Sequence, residues 1–242
     1  MSNNILITKA KDQASALSEL LHDANYNPFI FPAITIEPIN NPSLRASFNQ
    51  HYDGIIFTSI NAVNHSRQYW PNGINSDACY AVGPSTAAAL KKFNIEAIVP
   101  DNYSSEGLLA LEDLQKIKDK RFLIVCGEDP KPLLQKSLEQ HGALVKKTLC
   151  YKRSLPKINQ KIALTKLQTI KWDFIISTSL SCLENLYCLF DHAGQTWLNQ
   201  QNFIVINKTM LKFLQEKGNQ QQHLLAKNAT NAAIIKVLLE AK

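Results

Sequence analysis

Polar side chains that can donate hydrogen bonds follow several predicted strands of this 242-residue chain, at the point where each strand ends. Ligands of open parallel sheets bind at this carboxyl edge. Where a helix begins there, its unpaired N–H groups and positive dipole end can hold carboxylates or phosphates. The candidate substrate-binding residues are Thr8, Lys9, Ser59, Asn61, Gly83, Ser85, Thr86, Ser179, Lys208 and Thr209.

Each Ser or Thr of this set, taken alone, is better explained as the N-cap of the helix that follows it. A residue can cap a helix and also line a cleft, so the two interpretations are compatible. Several of these helix starts are expected on the same side of two related sheets. That arrangement favours a cleft between two domains, rimmed by N–H and O–H donors and suited to an anionic substrate.

Two further residues are candidates for binding or catalysis. Lys131 follows Gly127 and a predicted strand, and its ammonium is either a carboxylate ligand or an ordinary surface charge. Tyr151 ends another strand, where its phenol either gives a proton to a leaving hydroxyl or packs as an amphipathic interface side chain. The segment after Gly127 matches neither G-x-G-x-x-G nor a P-loop, so no nucleotide is predicted.

The sequence gives no pattern for metal or covalent chemistry. The six histidines have no ligand spacing, and no pair of the five cysteines forms C-x-x-C. No G-x-S-x-G nucleophile elbow is present. Most cysteines lie in apolar runs, which predicts small buried side chains in a reducing compartment. Asp53 and Asp173 precede buried strands and are predicted to be structural. The chain is therefore expected to work without a metal or an organic cofactor.

Short β-branched runs alternate with amphipathic segments of helical length along the chain. This alternation is typical of an α/β fold in which helices cover parallel sheets on both faces. Ten strands are many for one sheet, so two sheets are predicted. The predicted strands are Asn4–Thr8, Phe29–Phe31, Gly54–Thr58, Tyr80–Val82, Ala97–Val99, Arg121–Cys126, Leu144–Tyr151, Phe174–Thr178, Phe203–Ile206 and His223–Leu225.

Internal similarity predicts that the two sheets belong to two related domains. Tyr52–Ser59 resembles Trp172–Ser179, and three further pairs of segments recur in the same order about half a chain apart. No single pair is convincing alone, but the shared order indicates a duplicated α/β domain.

Two proline-containing stretches are predicted to link the domains. Pro32–Pro42 and Tyr151–Lys157 lie at equivalent places in the two repeats, and proline restricts the chain and cannot donate into a sheet. Two linkers predict a discontinuous first domain, residues 1–35 and 155–242, with residues 36–154 inserted as the second. The sequence alone equally permits two consecutive domains.

The charge balance narrows the class of partner. Lys and Arg number 26 against 20 Asp and Glu, which gives a formal net charge of +6 and favours an anionic partner. The basic residues are scattered, and the densest pieces, Lys146-Lys147 and Tyr151–Arg153, are short, which disfavours nucleic acid. No long apolar segment and no signal-like start are present. A cytoplasmic protein without membrane contact is expected.

Six segments resemble, in order and spacing, sequence blocks of the uroporphyrinogen-III synthase family, and together they span nearly the whole chain. One block reads Tyr/Phe-Asp-x-x-Ile-Phe-Thr-Ser-x-Asn-Ala-Val, and another contains Tyr-x-Arg-x-x-Pro. The matching segments are Leu6–Ala10, Tyr52–Val63, Val82–Leu90, Ser105–Leu109, Gly142–Pro156 and Thr178–Leu186.

The chain departs from the family pattern at three places. Lys9-Ala10 stands for Arg-Pro, Asp129–Lys131 for a Gly-rich turn with Arg, and Asn207-Lys208 for Gly-Pro. Lys9 and Lys131 keep the positive charge of the arginine they replace but lose its planar bidentate geometry. The exact carboxylate contacts are therefore expected to differ from those of the family.

The resemblance implies a cyclising hydro-lyase made of two domains joined by two linkers. Such an enzyme converts hydroxymethylbilane to uroporphyrinogen III in the interdomain cleft, with loss of water, inversion of ring D and no cofactor. The substrate's eight carboxylates fit the positive net charge, and Tyr151 matches the family's proposed proton donor. The resemblance also suggests a monomer in transient contact with the preceding pathway enzyme.

Two other classes of protein share parts of this pattern. A non-catalytic tetrapyrrole-binding or regulatory relative would keep the fold but lose Tyr151 and the donor rim, and both are present. A hinged two-lobed binding protein would normally carry a secretion signal. The sequence therefore favours the enzyme.

Overall fold

The computed structural model describes residues 3–40, 42–128, 130 and 132–241. The chain divides into two compact units: Met1–Thr35 with Ser154–Lys242, here called unit 1, and Ile36–Arg153, here called unit 2. Each unit contains one five-stranded sheet, sheet A in unit 1 and sheet B in unit 2. Within the described ranges, no helix has the length and hydrophobicity needed to cross a bilayer.

The strands and helices alternate along both units. The strands are β1 Asn4–Ile7, β2 Asn27–Ile30, β3 Thr35–Pro38, β4 Tyr52–Phe57, β5 Ser76–Ala81, β6 Arg121–Gly127, β7 Leu144–Ser154, β8 Phe174–Ile176, β9 Phe203–Val205 and β10 Leu224–Leu225. The α-helices are α1 Lys11–Asp23, α2 Ser43–Phe48, α3 Ile60–Ser66, α4 Pro84–Lys91, α5 Ser105–Leu109, α6 Leu133–Gln140, α7 Gln160–Gln168, α8 Leu180–Cys188, α9 His192–Leu198, α10 Lys208–Glu216 and α11 Asn231–Glu240.

The two sheets repeat one strand order. Sheet A runs β10-β9-β8-β1-β2, and its neighbouring strands pair in parallel. Sheet B runs β3-β7-β6-β4-β5, with parallel pairing from β7 to β5. The equivalent strands are β4 and β8, β5 and β9, β6 and β1, and β7 and β2. The predicted α/β class, with two related domains built on parallel sheets, is therefore confirmed.

The central strand of sheet A, β1, is buried on both faces, which explains why it is a continuous apolar run rather than an alternating one. Ile5 and Ile7 of β1 pack with α1 and α11 on one face. Leu6 points to the other face, where it packs with α8 and α10. Successive side chains of a strand point to opposite faces, so three consecutive apolar residues contribute to the hydrophobic clusters on both faces of the sheet.

Sheet B is constructed in the same way. Ile55 and Phe57 of β4 pack on one face with α2, α3 and α4, and this cluster is here called the α3-side core. Ile56 points to the opposite face and packs with α5 and α6, here called the α6-side core. Asp53 accepts a hydrogen bond from the Arg121 N–H at 2.8 Å. Its equivalent, Asp173, accepts from the Asn4 N–H at 2.7 Å. The predicted structural role of both aspartates is confirmed.

The chain passes from one unit to the other between Thr35 and Ile36 and again between Arg153 and Ser154, inside the two predicted linker stretches, and both stretches also contain strand. β3 lies inside Pro32–Pro42, and β7 continues through Ser154 into Tyr151–Lys157. The two strands are neighbours in sheet B, and β3 occupies the edge. An edge strand tolerates proline because its outward side needs no donor, so Pro38 is compatible with β3.

The structure tests two smaller expectations, of which the first was wrong and the second is confirmed for most cysteines. The predicted strand Ala97–Val99 is reduced to a single bridge between Ile98 and Tyr80. Among the five free cysteines, four are buried as predicted, but Cys188 is exposed near the end of α8.

Candidate functional site

A cavity of about 290 Å³, here called the Tyr151 cavity, opens at the carboxyl edge of sheet B, where β4, β6 and β7 end. All of its lining residues belong to unit 2. They are Thr58, Ser59, Ser105, Ile124, Cys126, Gly127, Glu128, Pro130, Leu134, Gln135, Lys147, Tyr151 and Arg153.

The structure brings two of the predicted site residues, Ser59 and Tyr151, into direct contact. The Ser59 Oγ lies 3.0 Å from the Tyr151 hydroxyl, a distance at which either oxygen can donate. Ser59 is also the N-cap of α3, and its Oγ accepts from the Ala62 N–H at 3.1 Å. A hydroxyl has one proton and two lone pairs, so the Ser59 Oγ can serve both neighbours at once. The cap therefore holds Ser59 in place against the phenol.

A β-bulge turns Tyr151 toward Ser59. Cys126 of β6 is opposite Leu149, but Gly127 is opposite Tyr151, so Cys150 is an extra residue with no opposite residue in the register of β6. Leu149 packs with the α6-side core, whereas Cys150 and Tyr151 both pack with the α3-side core. In a regular strand consecutive side chains face opposite ways. The extra residue cancels one alternation, and bulges often re-aim a side chain in this way.

Glycine at position 127 leaves room for the Tyr151 ring. A Cβ placed on Gly127 would lie 2.5 Å from Cζ and 2.9 Å from the hydroxyl oxygen of Tyr151. Neither distance is possible without moving the ring, which is buried. The strand beyond Gly127 is tied down by a hydrogen bond from the Glu128 N–H to the Tyr151 carbonyl at 2.8 Å. The phenol is thus held by backbone on one side and by Ser59 on the other.

Three charged side chains line the Tyr151 cavity: Lys147, Arg153 and Glu128. All three are exposed, so their charged groups remain in contact with solvent. Burial raises the pKa of the Cys126 thiol to about 11, and the positive charge of Lys147 opposes that shift. The cavity therefore has a cationic excess. The sequence grouped Lys147 and Arg153 only as parts of short basic runs, and the bulge at Cys150 breaks the strand period between them, so the sequence carried no reliable signal that both line one cavity.

The other predicted residues of unit 2 lie outside the lining of the Tyr151 cavity. Asn61 is buried in the first turn of α3. Gly83 precedes α4, whose first turn contains Ser85, which is exposed, and Thr86, which is buried. These residues stand at the ends of β4 and β5, as predicted, but they are not brought together with Tyr151. Lys131 lies outside the described residues.

In unit 1 the candidate Thr8 is completely buried. Its hydroxyl donates to the Ile176 carbonyl at 2.8 Å and therefore ties β1 to β8. The Lys9 ammonium donates to the Asn231 Oδ1 at 3.4 Å. Burial lowers the pKa of Lys9, and Cys182 acts in the opposite direction. Thr8 has the geometry of a structural residue, whereas Lys9 stands at the end of β1 with a partly buried charge.

The remaining candidates of unit 1 stand at the starts of two helices. Ser179 is exposed and caps α8 by accepting from the Cys182 N–H at 3.2 Å. Lys208 and Thr209 are exposed in the first turn of α10. That helix is capped by Asn207 rather than by Thr209. Each side chain follows the carboxyl end of β8 or β9, which is the position that the sequence predicted for them.

A search of the described residues finds no group of three or more His, Cys, Asp or Glu side chains that could hold a metal ion. The polar atoms that the cavity offers are hydroxyls, an amide, two cations and one carboxylate. Such a set can bind carboxylates and move a proton from the phenol.

Comparisons with known proteins give one consistent result. A family profile described as "Uroporphyrinogen-III synthase HemD" matches residues 15–236. The uroporphyrinogen-III synthase of Escherichia coli (strain K12) is 26% identical over 97% of this chain and 99% of its own length. That of Proteus mirabilis is 33% identical over 62% of this chain and 80% of its own. The crystal structure of the Helicobacter pylori 26695 synthetase, at 18% identity, shares the fold over 99% of both chains with a TM-score of 0.62.

Proposed function

Because the chain belongs to the uroporphyrinogen-III synthase family, we propose that it converts hydroxymethylbilane to uroporphyrinogen III. The reaction removes water, inverts ring D and closes the linear tetrapyrrole into a ring, which makes the enzyme a hydro-lyase. The match covers most of both units, and the relative from Escherichia coli is matched over almost its full length. Both observations support an activity that uses the whole chain.

The difficulty of this reaction lies in orientation rather than in bond breaking. The pyrrole nitrogen readily expels the hydroxyl group to give an azafulvene. Without assistance the flexible chain then closes at the less hindered carbon and gives the I isomer. An enzyme that holds both ends of the substrate in one geometry can redirect closure, and correct orientation alone can supply a large part of a rate enhancement.

The observation that carries the proposal is the contact between Ser59 and Tyr151 at the wall of the Tyr151 cavity. Tyr151 gives its proton to the departing hydroxyl as the C–O bond breaks, and the oxygen leaves as water. The Ser59 hydroxyl then donates to the phenolate, because its oxygen already accepts from Ala62 and its proton is free to turn. The hindered carbon bears no hydrogen, so a proton is released only after ring D has inverted and its unsubstituted carbon has formed the final bond. That proton restores the phenol.

We infer that the rest of the substrate binds to donors at the carboxyl edges of both sheets. The proposed carboxylate contacts are Lys9, Asn61, Gly83, Ser85, Thr86, Lys131, Ser179, Lys208 and Thr209. Thr8 supports this edge by joining β1 to β8. The net charge of +6 favours a substrate with eight carboxylates. A cytoplasmic location and transient contact with the preceding pathway enzyme belong to the same proposal.

The test is a product analysis with freshly made hydroxymethylbilane. The protein is first treated with a chelator and dialysed, so that the same experiment also tests the prediction of a cofactor-free enzyme. The products are oxidised and the uroporphyrin I and III isomers are separated. The III isomer should dominate. A yield of the I isomer alone, equal to that without protein, would reject the proposed function, and activity that returns only with a metal would reject the cofactor prediction.

A further inference from the structure

Lys147 and Arg153 are two cations that the proposed proton transfer does not use. They lie on β7 on either side of Tyr151, four residues before it and two residues after it, and both line the Tyr151 cavity. Within the described ranges, neither forms an ion pair with an acidic side chain. Their neighbour Lys152 differs, because its ammonium lies 3.6 Å from the Glu37 carboxylate. The two cavity cations are therefore available to an external anion.

The cavity has the size of a single pyrrole ring with its acid side chains. Sites for small organic ligands usually measure about 300–1,000 Å³. At about 290 Å³ the Tyr151 cavity lies at the lower limit and cannot enclose a tetrapyrrole. Its inner wall is apolar, with Ile124 and Leu134, and its charged residues are exposed. An apolar floor below exposed cations suits a flat ring whose carboxylates point toward solvent.

On the basis of the proposed function, we propose that the Tyr151 cavity is the subsite for the pyrrole ring that carries the departing hydroxyl. Lys147 and Arg153 bind the acetate and propionate carboxylates of that ring. The planar guanidinium of Arg153 can engage a carboxylate through two parallel hydrogen bonds, whereas Lys147 acts as a point charge. With both carboxylates fixed, the hydroxymethyl carbon is presented to the phenol of Tyr151.

Glu128 allows a test in which the proposal predicts tighter binding. If Glu128 had only a structural role, replacing it would not tighten binding. Its carboxylate lines the same cavity and repels the acid side chains of the ring. Replacing Glu128 with Gln removes the repulsion, keeps the size of the side chain and leaves the backbone N–H that donates to Tyr151. The subsite should then bind the diacid more tightly, while loss of either cation should weaken binding.

The probe is pyrrole-3-acetic-4-propionic acid, a single ring with the two acid side chains and no leaving group. Its binding to the full-length protein is measured by calorimetry. Contacts between opposite charges are weak where solvent screens them, so Lys147→Met and Arg153→Met should each weaken binding about two- to fivefold. Glu128→Gln should strengthen it. The matched controls are Lys146→Met and Lys152→Met, whose side chains do not line the cavity.

The same variants are then assayed with hydroxymethylbilane. Lys147→Met and Arg153→Met should raise KM and the fraction of I isomer, and added probe should inhibit the wild-type protein competitively. Equal binding of the probe to wild type and both variants, or no binding to wild type, would overturn the subsite. The proposed function is tested separately, by whether the wild-type protein forms the III isomer, and does not depend on how the probe binds. Thermal melting checks that each variant is folded, and no loss of stability is expected because the side chains of Lys147, Arg153 and Glu128 are exposed.

Discussion

The position of the Tyr151 hydroxyl depends on neighbours that are distant in sequence. Ser59 contacts it from the start of α3 at 3.0 Å. Gly127 provides the space that its ring occupies, and Cys150 is the extra residue that turns it toward α3. The sequence suggested both Ser59 and Tyr151 as candidates. Their contact was not predictable, because it requires a register irregularity that residue types do not encode.

Gly127→Ala should lower activity only because it displaces the ring of Tyr151. The new Cβ would fall 2.5 Å from the ring, so the phenol must move away from Ser59. The change is therefore expected to slow formation of the III isomer about as much as Tyr151→Phe does. In a double-mutant cycle the two losses should not add, since both remove the same positioned hydroxyl. Additive losses would show that Gly127 acts on another part of the site.

His223 predicts a pH dependence of stability. Burial lowers its pKa below the usual value of about 6.5. Its Nδ1 accepts from the Phe203 N–H at 3.2 Å, and its Nε2 has no hydrogen-bond partner among the described residues. As the pH falls, the His223 side chain is protonated near pH 6.5 in the unfolded chain but only at a lower pH in the folded protein. The stabilising contribution is therefore complete above about pH 6.5 and is lost as the pH falls through the unfolded value toward the folded one.

The measurement is the free energy of unfolding in urea at pH 7.5 and pH 5.0. His223→Asn keeps an acceptor near the Phe203 N–H but does not titrate. The wild-type protein should lose more stability on acidification than the variant. Equal losses would show that other groups cause the acid sensitivity.

At the scale of the elements, most strands could be predicted and the irregular ones could not. Strands such as β4 and β6 are buried on both faces and form apolar runs that stand out from their surroundings. β3 was interpreted as a linker because it lies between prolines, although an edge strand accepts Pro38. Ala97–Val99 has the composition of a strand, yet it makes one bridge, so composition alone overestimated its length.

The start of α8 tests whether a helix cap is also a substrate contact. Ser179 caps this helix, and aspartate is an equally good N-cap that interacts favourably with the helix dipole. Ser179→Asp should therefore keep the melting temperature but raise KM for an anionic substrate. Asn159→Asp at the start of α7 is the matched control, because Asn159 caps its helix in the same way and is not a predicted contact. An unchanged KM in Ser179→Asp would limit Ser179 to its structural role.

At the scale of the whole molecule, the duplicated sheet was the most predictable feature. Equivalent strands such as β4 and β8 carry similar sequences, because both must be apolar on two faces and end in a hydroxyl that caps a helix. The chain order differs between the units, since β1 and β2 precede β8 in unit 1 whereas β6 and β7 follow β4 in unit 2. The sequence repeat paired β4 with β8, β6 with β1 and β5 with β9, whereas the order of the strands within each sheet was not predicted and comes from the structure.

The most direct test of the central claim compares the isomers formed by wild type and Tyr151→Phe at equal concentrations of hydroxymethylbilane. The wild-type protein should give mainly the III isomer. A positioned general acid contributes about 10²–10⁴-fold, and Tyr151→Phe should lose the lower figure or less, because the pyrrole expels its leaving group and water can supply the proton.

Slower turnover also leaves more substrate to close without the enzyme, so the fraction of I isomer should rise in Tyr151→Phe. Tyr69→Phe, a partly buried tyrosine beside the α3-side core, should behave as wild type. A folded Tyr151→Phe protein with undiminished rate and isomer ratio would remove Tyr151 from the chemistry. Wild-type protein that yields only the I isomer would contradict the assignment of the reaction itself.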